Sequence, residues 1–593
     1  MDNDITLMLD YEYYTENKKR LKEGLIHSKD KLKKKIAVLC SGTFGETKDI
    51  LELFLLSYGI EPVFYVGDYN RCFEEACFPN KEMEQFAPDI VIVHINNRGL
   101  LSRFDEASYE MLQKEEKRLE DIWNSLKNRY RCSIIQNNFE YYPYRVIGNG
   151  ARSSAYGNVR YIERLNEYID TYADNHKGFY VNDLNYLSSL YGLLNWYDDR
   201  MWALYKYPFS IDMIPVYAKS LADIIKSIYG MNKKLVISDL DNTLWGGIIS
   251  EDGADGIRIG SDSPQGEMYE QIQRYLRYLS ERGIVLAINS KNDYDEGISG
   301  IRSDRSVLEE KNFSKIAINW EKKDINVNTI LNELNLLQGG ALFIDDSALE
   351  RDIVKNCFPS IKVFDSSSPA DLLRDLETND FFEYSGLTAD DGQRGKYYRD
   401  NIERLNLEKE YADYDEFLIS LDMECICEEL NEKNMDRVLQ LLNKTNQFNF
   451  LTHRFTEDKI RDIYKDKTYS TFVLTLNDRY GTNGIVSVAI CNTRDDTFSI
   501  EDWVMSCRVF RRGLEYMMLL IMCEVCKVNG IGTIRGYYKE SDRNKKIRHF
   551  FRDNGFIEGS FDSEEMVQEW VCKDIHGLEK GLRSLVHMSL TKR

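Results

Sequence analysis

Residues 233–247, Lys-Lys-Leu-Val-Ile-Ser-Asp-Leu-Asp-Asn-Thr-Leu-Trp-Gly-Gly, constrain this chain more than any other stretch. Leu235 to Ser238 read as a buried strand, Asp239 and Asp241 follow at its carboxyl end, and Asn242 with the two glycines breaks it. Open α/β sheets bind ligands outside the carboxyl ends of their strands, so this strand delivers two carboxylates to a binding edge. Acids one residue apart can divide the work of phosphoryl transfer. Asp239 would attack phosphorus, and Asp241 would protonate the leaving oxygen and later activate water. A magnesium ion would be needed to hold phosphate oxygens against anionic carboxylates. Asp-x-Asp also arises by chance in an acidic chain, so the assignment depends on the downstream residues.

Three further segments have the same form. Gly283-Ile-Val-Leu-Ala-Ile-Asn-Ser290-Lys-Asn-Asp is an apolar strand ending in a hydroxyl and a lysine. Asn319-Trp-Glu-Lys-Lys323 offers a cation after a short strand, and Ala341-Leu-Phe-Ile-Asp345-Asp346-Ser is a strand ending in paired acids. Four ordered strand ends that supply nucleophile, hydroxyl, lysine and metal carboxylates resemble the haloacid dehalogenase (HAD) superfamily. The resemblance implies a Rossmann-like parallel sheet. Too few residues lie between Asp239 and Ser290, or between Ser290 and Lys323, for a large cap domain. The insertion from Trp245 to Gly260 reads as a small glycine-turned β-hairpin. An uncapped site is open and admits a phosphate carried on something bulky, whereas enclosed sites exclude water around small substrates.

The front of the chain alternates strands and helices. A charged helical lead-in over residues 1–34 precedes a strand from Lys35 that ends in the turn Ser41-Gly-Thr-Phe-Gly. An amphipathic helix from Glu46 to Tyr58 comes next, then strands at Pro62–Val66 and from Pro88 to Asn97, which implies a parallel sheet covered by helices. Ser41 after the first strand, with Asn96 and Asn97 after a later one, resembles the SGNH-hydrolase layout of a Ser nucleophile and an oxyanion-stabilising Asn. That family's late Asp-x-x-His is represented by Asp198-Asp199-Arg-Met-Trp202, which contains no His. Without a general base Ser41 lacks a route to activation, so the front reads as a degenerate docking domain. Residues 211–230 form a helix with apolar positions Ile214, Ala218, Leu221, Ile224, Ile225 and Ile228, stopped at Gly230.

The rear begins with a helix from Arg437 and the polar turn Lys444-Thr-Asn-Gln-Phe-Asn449. Strands come at Thr471–Leu476, Gly484–Ile490, Phe498–Met505 and Thr533–Tyr537. Ser506-Cys507-Arg508-Val-Phe-Arg511-Arg512-Gly513-Leu-Glu515 opens a long apolar helix. Strand, Arg-Arg-Gly and helix resemble the acetyltransferase (GNAT) site, where backbone N–H groups cradle pyrophosphate. Phe510 and Glu515 depart from the usual glycine-rich pattern. Arg508, Arg511, Arg512 and Gly513 are candidate substrate-binding residues, with a solvated basic turn as the alternative. CoA or phosphopantetheine is the ligand such a turn could take, and carrier docking is the other role open to this domain.

Taken with Phe343-Ile-Asp-Asp346-Ser-x-x-Glu350-Arg351, the motifs resemble the FkbH-like branch of HAD proteins (subfamily IIIC) along essentially the whole chain. The implied fold is α/β in three domains. An SGNH/flavodoxin-like α/β domain (1–230) precedes a HAD-like catalytic domain without a large cap (231–375). A helical linker (376–410) then leads to a GNAT-like mixed α/β domain (411–593). The resemblance implies loading of a glyceryl unit from 1,3-bisphosphoglycerate onto an acyl carrier protein thiol, with loss of phosphate. It makes Asp239 the nucleophile and Asp241 the acid/base, with Ser290 and Lys323 steadying the phosphoryl group. Mg²⁺ would be held from the set Asp239, Asp241, Asp345 and Asp346, and Thr243 and Asn292 would contact substrate. Many FkbH-like sequences carry Cys before Ser-Lys-Asn, whereas this chain has Asn289. An enzyme-bound thioester would then need Cys357 or another thiol. Direct transfer to a carrier thiol, plain phosphatase action on a small metabolite, and a scaffold in a polyketide, peptide or surface-polysaccharide assembly line remain open.

Composition excludes other classes. At 593 residues the chain exceeds one core, and 43% hydrophobic with 30% charged residues describes a soluble globular protein. A net charge of −21 argues against general nucleic-acid or anionic-membrane binding. No leader and no membrane span are read, and 12 Cys without a secretory signal fit a reducing cytoplasmic setting. Cys523 and Cys526 read as core thiols, and seven scattered His give no metal cluster.

Overall fold

The computed structural model describes residues 9–26, 31–100, 107–261, 263–379, 381–383, 386, 392–541, 543–563 and 565–593. The first seven residues, which carry the expectation of no leader, and part of the 376–410 stretch lie outside them. The chain divides into two units: 1–228 with 455–462, and 229–454 with 463–593.

In the first unit, β1 (Leu32–Cys40), β2 (Ile60–Val66), β3 (Ile90–His94), β4 (Ser133–Asn137) and β5 (Phe179–Asn182) form one sheet. Its order is β2-β1-β3-β4-β5 and every pairing is parallel. β3 and β4 are buried along their whole length, as parallel strands covered on both faces must be. The order is that of flavodoxin-like sheets, with its reversal between β1 and β3. Ser41 and Asn96 stand just beyond the ends of those two strands. The helix Ile214–Ile228 buries nearly all of its side chains, including Ile214, Ala218, Leu221 and Ile225.

The second unit begins with β6 (Leu235–Ser238), β7 (Val285–Ser290), β8 (Phe313–Ile318), β9 (Ala341–Asp345) and β10 (Lys362–Asp365). The order is β10-β9-β6-β7-β8, again all parallel. The chain proceeds from β6 to β7 and β8, then crosses to β9 and β10 on the other side. The crevice at the carboxyl ends of β6 and β9 is therefore the topological switch point.

The expected hairpin between Trp245 and Gly260 is not there. That stretch holds a helix, Ile249–Gly256, bent at Gly253, with single bridges between Gly246 and Arg258 and between Trp245 and Asp241. Asp252 explains the difference: its carboxylate accepts from the Ile248 N–H at 3.0 Å, and Glu251 and Asp252 favour a helix start. Gly247 has φ +103°, and a Cβ there would lie 2.3 Å from the Asp252 carboxylate, so this turn needs glycine.

Within the 376–410 stretch, the helix Arg394–Glu408 packs on the central sheet. Tyr398 joins the core beneath β6 and β7, and Ser314 Oγ donates to the Gly395 carbonyl at 3.2 Å. The same helix reaches the rear strands, where Arg404 pairs with Asp478 at 2.7 Å.

The rear of this unit is a mixed sheet built from β11 (Met423–Glu428), β12 (Phe448–Asn449), β13 (Tyr469–Asp478), β14 (Gly481–Arg494), β15 (Thr497–Met505), β16 (Thr533–Lys539), β17 (Ile557–Asp562), β18 (Val567–Cys572) and β19 (Met588–Lys592). Its order is β17-β18-β16-β15-β14-β13-β11-β19, with β12 against β15. β13 and β14 run longer than the pattern predicts, because Asp478 caps a tight turn by accepting from the Tyr480 N–H at 2.9 Å. Cys523 and Cys526 are fully buried in this core. Among the described residues no helix is long and apolar enough to cross a membrane.

Candidate active site

β6 ends under tension between apolar burial and polar duty. Leu235, Val236 and Ile237 are buried, and the next residues turn the chain out of the sheet. The Asp239 N–H donates to the Ile344 carbonyl of β9 at 3.0 Å, which pins Asp239 in the switch-point crevice. β9 brings Asp345 and Asp346 to the same crevice. Oxygen atoms of Asp239, Asp345 and Asp346 lie within 4.8 Å of one another, the one group of metal-capable side chains among the described residues.

Lys323 joins them. It opens the helix Lys323–Glu333 after β8, and its ammonium donates to Asp239 and to Asp345, each at 2.5 Å. Burial works against the lysine's charge, but the carboxylates of Asp239 and Asp345 outweigh it and raise its pKa. Burial, then repulsion from Asp239, pushes Asp345 and Asp346 above the ordinary carboxylate range. One lysine does not balance three acids. A hard divalent cation suits this all-oxygen set, so the residues present fit Mg²⁺.

Asp241 faces a different direction. Its Oδ1 accepts from the Trp245 indole N–H at 2.9 Å and the Ile249 N–H at 3.0 Å, and its Oδ2 accepts from Asn292 at 2.8 Å. The structure thus brings Asp239, Asp345 and Asp346 into one group and leaves the Asp241 carboxylate out of it. Ser290, fully buried, accepts from Asn292 at 3.2 Å, so Asn292 links the β7 end to Asp241. Thr243 is turned inward, with its hydroxyl 2.6 Å from that of Ser366 beyond β10. It ties two loops together.

Two roles escape a reading of the sequence. Asn289 donates to the Lys323 carbonyl at 2.9 Å and accepts from Asn326 at 3.1 Å, so it anchors the helix start that carries the lysine. Trp245 and the Ile249 N–H fix one oxygen of Asp241, and Asn292 holds the other. Neither role has a signal in spacing: Asn289 meets Lys323 and Asn326 only once the strands are ordered, and the Asp241 contacts come from the Trp245–Ile249 segment that does not form the expected hairpin.

Cys357 closes the helix Ala348–Cys357, which starts after β9 and runs back along the sheet for about 15 Å. The exposed thiol therefore stands well away from Asp345.

In the front unit, Ser41 Oγ accepts from Asn96 twice, from the N–H at 2.8 Å and from Nδ2 at 2.6 Å. Asp198 caps the helix Asp199–Tyr205 and Asp199 pairs with Arg98 at 2.7 Å. The His94 ring stacks on Phe209, and burial drives its pKa down to about 3. Ser41→Ala is expected to leave phosphate release unchanged and to destabilise the first unit by about 1–3 kcal/mol, since two buried donors lose their acceptor. Parallel phosphate assays and melting curves check this, and a large loss of activity at unchanged stability would make Ser41 catalytic.

In the rear, the four candidates separate. Arg512 is buried against Asp478, Asn483 and Asn401. Arg508 is buried over the Tyr397 ring at 4.5 Å. Arg511 is exposed at φ +67°, and Gly513 at φ +80° starts the helix Leu514–Asn529. Burial pushes Glu515 up to about 7, and its Oε2 has no partner. β15 and β16 pair only from Thr497–Ile500 against Thr533–Gly536 and then diverge. An extended amide-bearing arm could add to such diverging strands. The chain fills the gap itself: β12 pairs with Met505 and Val504, and the Lys539 N–H donates to the Phe450 carbonyl at 2.8 Å.

A family model described as FkbH, N-terminal domain, matches residues 58–226. The N-terminal part of the protein BF1531 from Bacteroides fragilis, which contains a phosphatase domain and was crystallised with Mg, shares the fold. It is 24% identical, over 63% of this chain and 99% of that one, with a TM-score of 0.59. Two acetyltransferases show partial likeness. The Escherichia coli ribosomal-protein-S18-alanine N-acetyltransferase is 12% identical over 25% of this chain and 90% of its own, with a TM-score of 0.20. Mutant forms of the Vibrio cholerae spermidine/spermine N-acetyltransferase SpeG are 12% identical over 26% and 98%, with a TM-score of 0.22. No curated protein matches the chain.

Proposed function

We propose that this chain is a Mg²⁺-dependent HAD-type phosphatase that, in its finer activity, frees a glyceryl-type acyl unit of phosphate and delivers it to an acyl carrier protein thiol. The observation that carries the reading is the cluster of Asp239, Lys323, Asp345 and Asp346 at the switch point of the central sheet. The family match over residues 58–226 and the shared fold of a phosphatase-domain protein crystallised with Mg support it. Mg²⁺ held by Asp239, Asp345 and Asp346 would neutralise the phosphoryl oxygens that three carboxylates otherwise repel.

The chain's own residues account for the rest. Asp239 attacks phosphorus as the bond to the substrate oxygen breaks, and Lys323 holds the equatorial oxygens. Asp241 gives the leaving oxygen a proton through Oδ2, then takes one from the water that cleaves the aspartyl phosphate. Ser290 and Asn292 position the phosphoryl group and that carboxyl in turn. With an acyl phosphate donor, the carrier thiol displaces phosphate at the carbonyl carbon, and the Asp239 centre hydrolyses the remaining phosphomonoester. Asn289, bound to Lys323, holds the place of a nucleophilic thiol, which favours direct transfer to the carrier.

An open mouth suits a tethered substrate. Ile248, Tyr294, Trp320 and Leu349 follow the carboxyl ends of β6, β7, β8 and β9, and all are exposed. Simple hydrolysis of a small phosphorylated metabolite is the second reading, favoured by the distance of Cys357 from the acids.

The test combines intact-protein mass spectrometry with a phosphate assay on enzyme, Mg²⁺, 1,3-bisphosphoglycerate and a pantetheinylated carrier. A glyceryl mass gain on the carrier together with released phosphate is expected. Phosphate without mass gain would leave the phosphatase alone, and no phosphate from this donor would sink the glyceryl reading. Chelation by EDTA should stop phosphate release and added Mg²⁺ should restore it. Release that survives chelation would remove the metal from the mechanism.

A further inference from the structure

Not every cation at the carboxyl edge of the central sheet is taken up by the phosphoryl centre. Lys323 is held by Asp239 and Asp345, and Arg351 by the Asp345 carbonyl and Asp365, each at 2.8 Å. Lys322 is exposed, but it follows β8, the edge strand two places from β6. Lys291 stands nearer. It follows Ser290 at the end of β7, and its ammonium donates to Glu350 Oε1 at 2.6 Å.

This ion pair crosses the crevice. β7 and β9 flank β6 on opposite sides, and Glu350 lies in the first turn of the helix Ala348–Cys357 that follows β9. A link from the end of β7 to that helix passes over the end of β6, where Asp239 and Asp241 stand. Ser238 is opposite Ile288 in register, so Asp239 is level with Asn289 and Lys291 lies two residues further out. Both anchors are fixed beside the reacting groups. Asn292 donates to Asp241 at 2.8 Å, the Ser347 N–H donates to Asp345 at 2.9 Å, and the Glu350 N–H donates to Ser347 Oγ at 3.5 Å.

The ammonium is the outer partner, because the Lys291 side chain is 36% exposed against 12% for Glu350. Its one hydrogen bond uses one of three donors and leaves two for a ligand. A partly exposed ion pair adds little stability, so holding the fold together does not account for its span over the acids. Glu350 already fixes the long side chain, so little further side-chain entropy is lost when an anion meets the ammonium. Exposed neighbours at these strand ends include Asp293 and Glu321. An anionic substituent entering here is repelled unless a cation receives it.

We propose that Lys291 is a specificity-determining residue that receives a second anionic group, carboxylate or phosphate, on the same small molecule whose phosphoryl group sits at Asp239. The inference rests on the phosphatase reading above and narrows its substrate to a phosphomonoester that carries a second anion. In the donor proposed there, with its phosphomonoester at Asp239, that second anion is the acyl phosphate.

Steady-state phosphate release by the full chain with Mg²⁺ tests it on glycerol 3-phosphate, 3-phosphoglycerate and glycerol 1,3-bisphosphate, which share a carbon frame. Wild type should prefer at least one of the two compounds with a second anion over glycerol 3-phosphate, by about tenfold or more in kcat/KM. Lys291→Met should raise KM for that compound about tenfold or more with kcat within about threefold, and should alter glycerol 3-phosphate kinetics by less than about threefold. Lys291→Arg, which keeps the charge, should recover most of the loss. A larger KM effect on 3-phosphoglycerate would identify the second anion as a carboxylate, and a larger effect on the bisphosphate would identify a phosphate. Unchanged discrimination in Lys291→Met, or an equal loss on all three substrates, would overturn the subsite while leaving the phosphatase in place. So would a Lys291→Met protein that melts well below wild type, because the pair would then be a structural tie. Phosphate release from none of the three by wild type would instead sink the phosphatase reading, and the subsite with it.

Discussion

Asp239→Asn is expected to abolish phosphate release, lowering turnover by at least ~10³-fold, while the protein keeps its fold. The exchange removes the attacking oxygen's charge and changes little volume. It also withdraws one of the three carboxylates that fit Mg²⁺, so metal affinity should fall in parallel. The fold survives because Lys323 keeps Asp345 at 2.5 Å and the Asp239 N–H keeps its bond to Ile344. Initial rates of phosphate release, read beside a melting curve, check both halves. Asp241→Asn should behave differently. Asp241 acts on the leaving oxygen and on water, so its loss slows breakdown of the aspartyl phosphate, and a phosphate mass gain on the protein should accumulate. An Asp239→Asn enzyme with near wild-type rates would remove the nucleophile from the mechanism.

The carboxyl-edge acids were legible because period and position coincide. Apolar runs from Leu235, Val285 and Ala341 can only be buried strands, and each is followed by polar residues whose place at the edge comes from that burial. Their convergence needed the strand order. Asp345 meets Asp239 because β9 crosses back beside β6, a fact no local window contains. The Trp245–Gly260 segment misled for the opposite reason: its glycines suggest turns, while the Asp252 carboxylate, a single side-chain contact, selects a helix. The same limit applies to Arg512. Spacing marks it as an anion ligand at a helix start, but Asp478, far away in sequence, claims its guanidinium. Charge in a sequence is not charge available to a ligand.

Lys323→Met is the substitution expected to damage stability and catalysis together. The Lys323 side chain is 4% exposed and bridges Asp239 and Asp345, whose side chain is fully buried. Removing the ammonium strands two repelling carboxylates in a low-dielectric crevice, a loss of about 3–5 kcal/mol by analogy with other broken buried pairs. Phosphate release should fall at least ~10²-fold as well, since the equatorial oxygens lose their cation. Stability and activity are separable here. Mg²⁺ supplies charge to the same acids, so saturating Mg²⁺ should recover much of the lost melting temperature without restoring turnover. The Lys323→Met/Asp345→Asn pair should be less destabilised than the sum of its parts, because the second change removes the charge that the first left uncompensated. Denaturation curves of the two single variants and the double, with and without Mg²⁺, read this directly. Additive losses that Mg²⁺ does not touch would mean that Lys323 holds the loop by packing alone, and the electrostatic account of the crevice would fail.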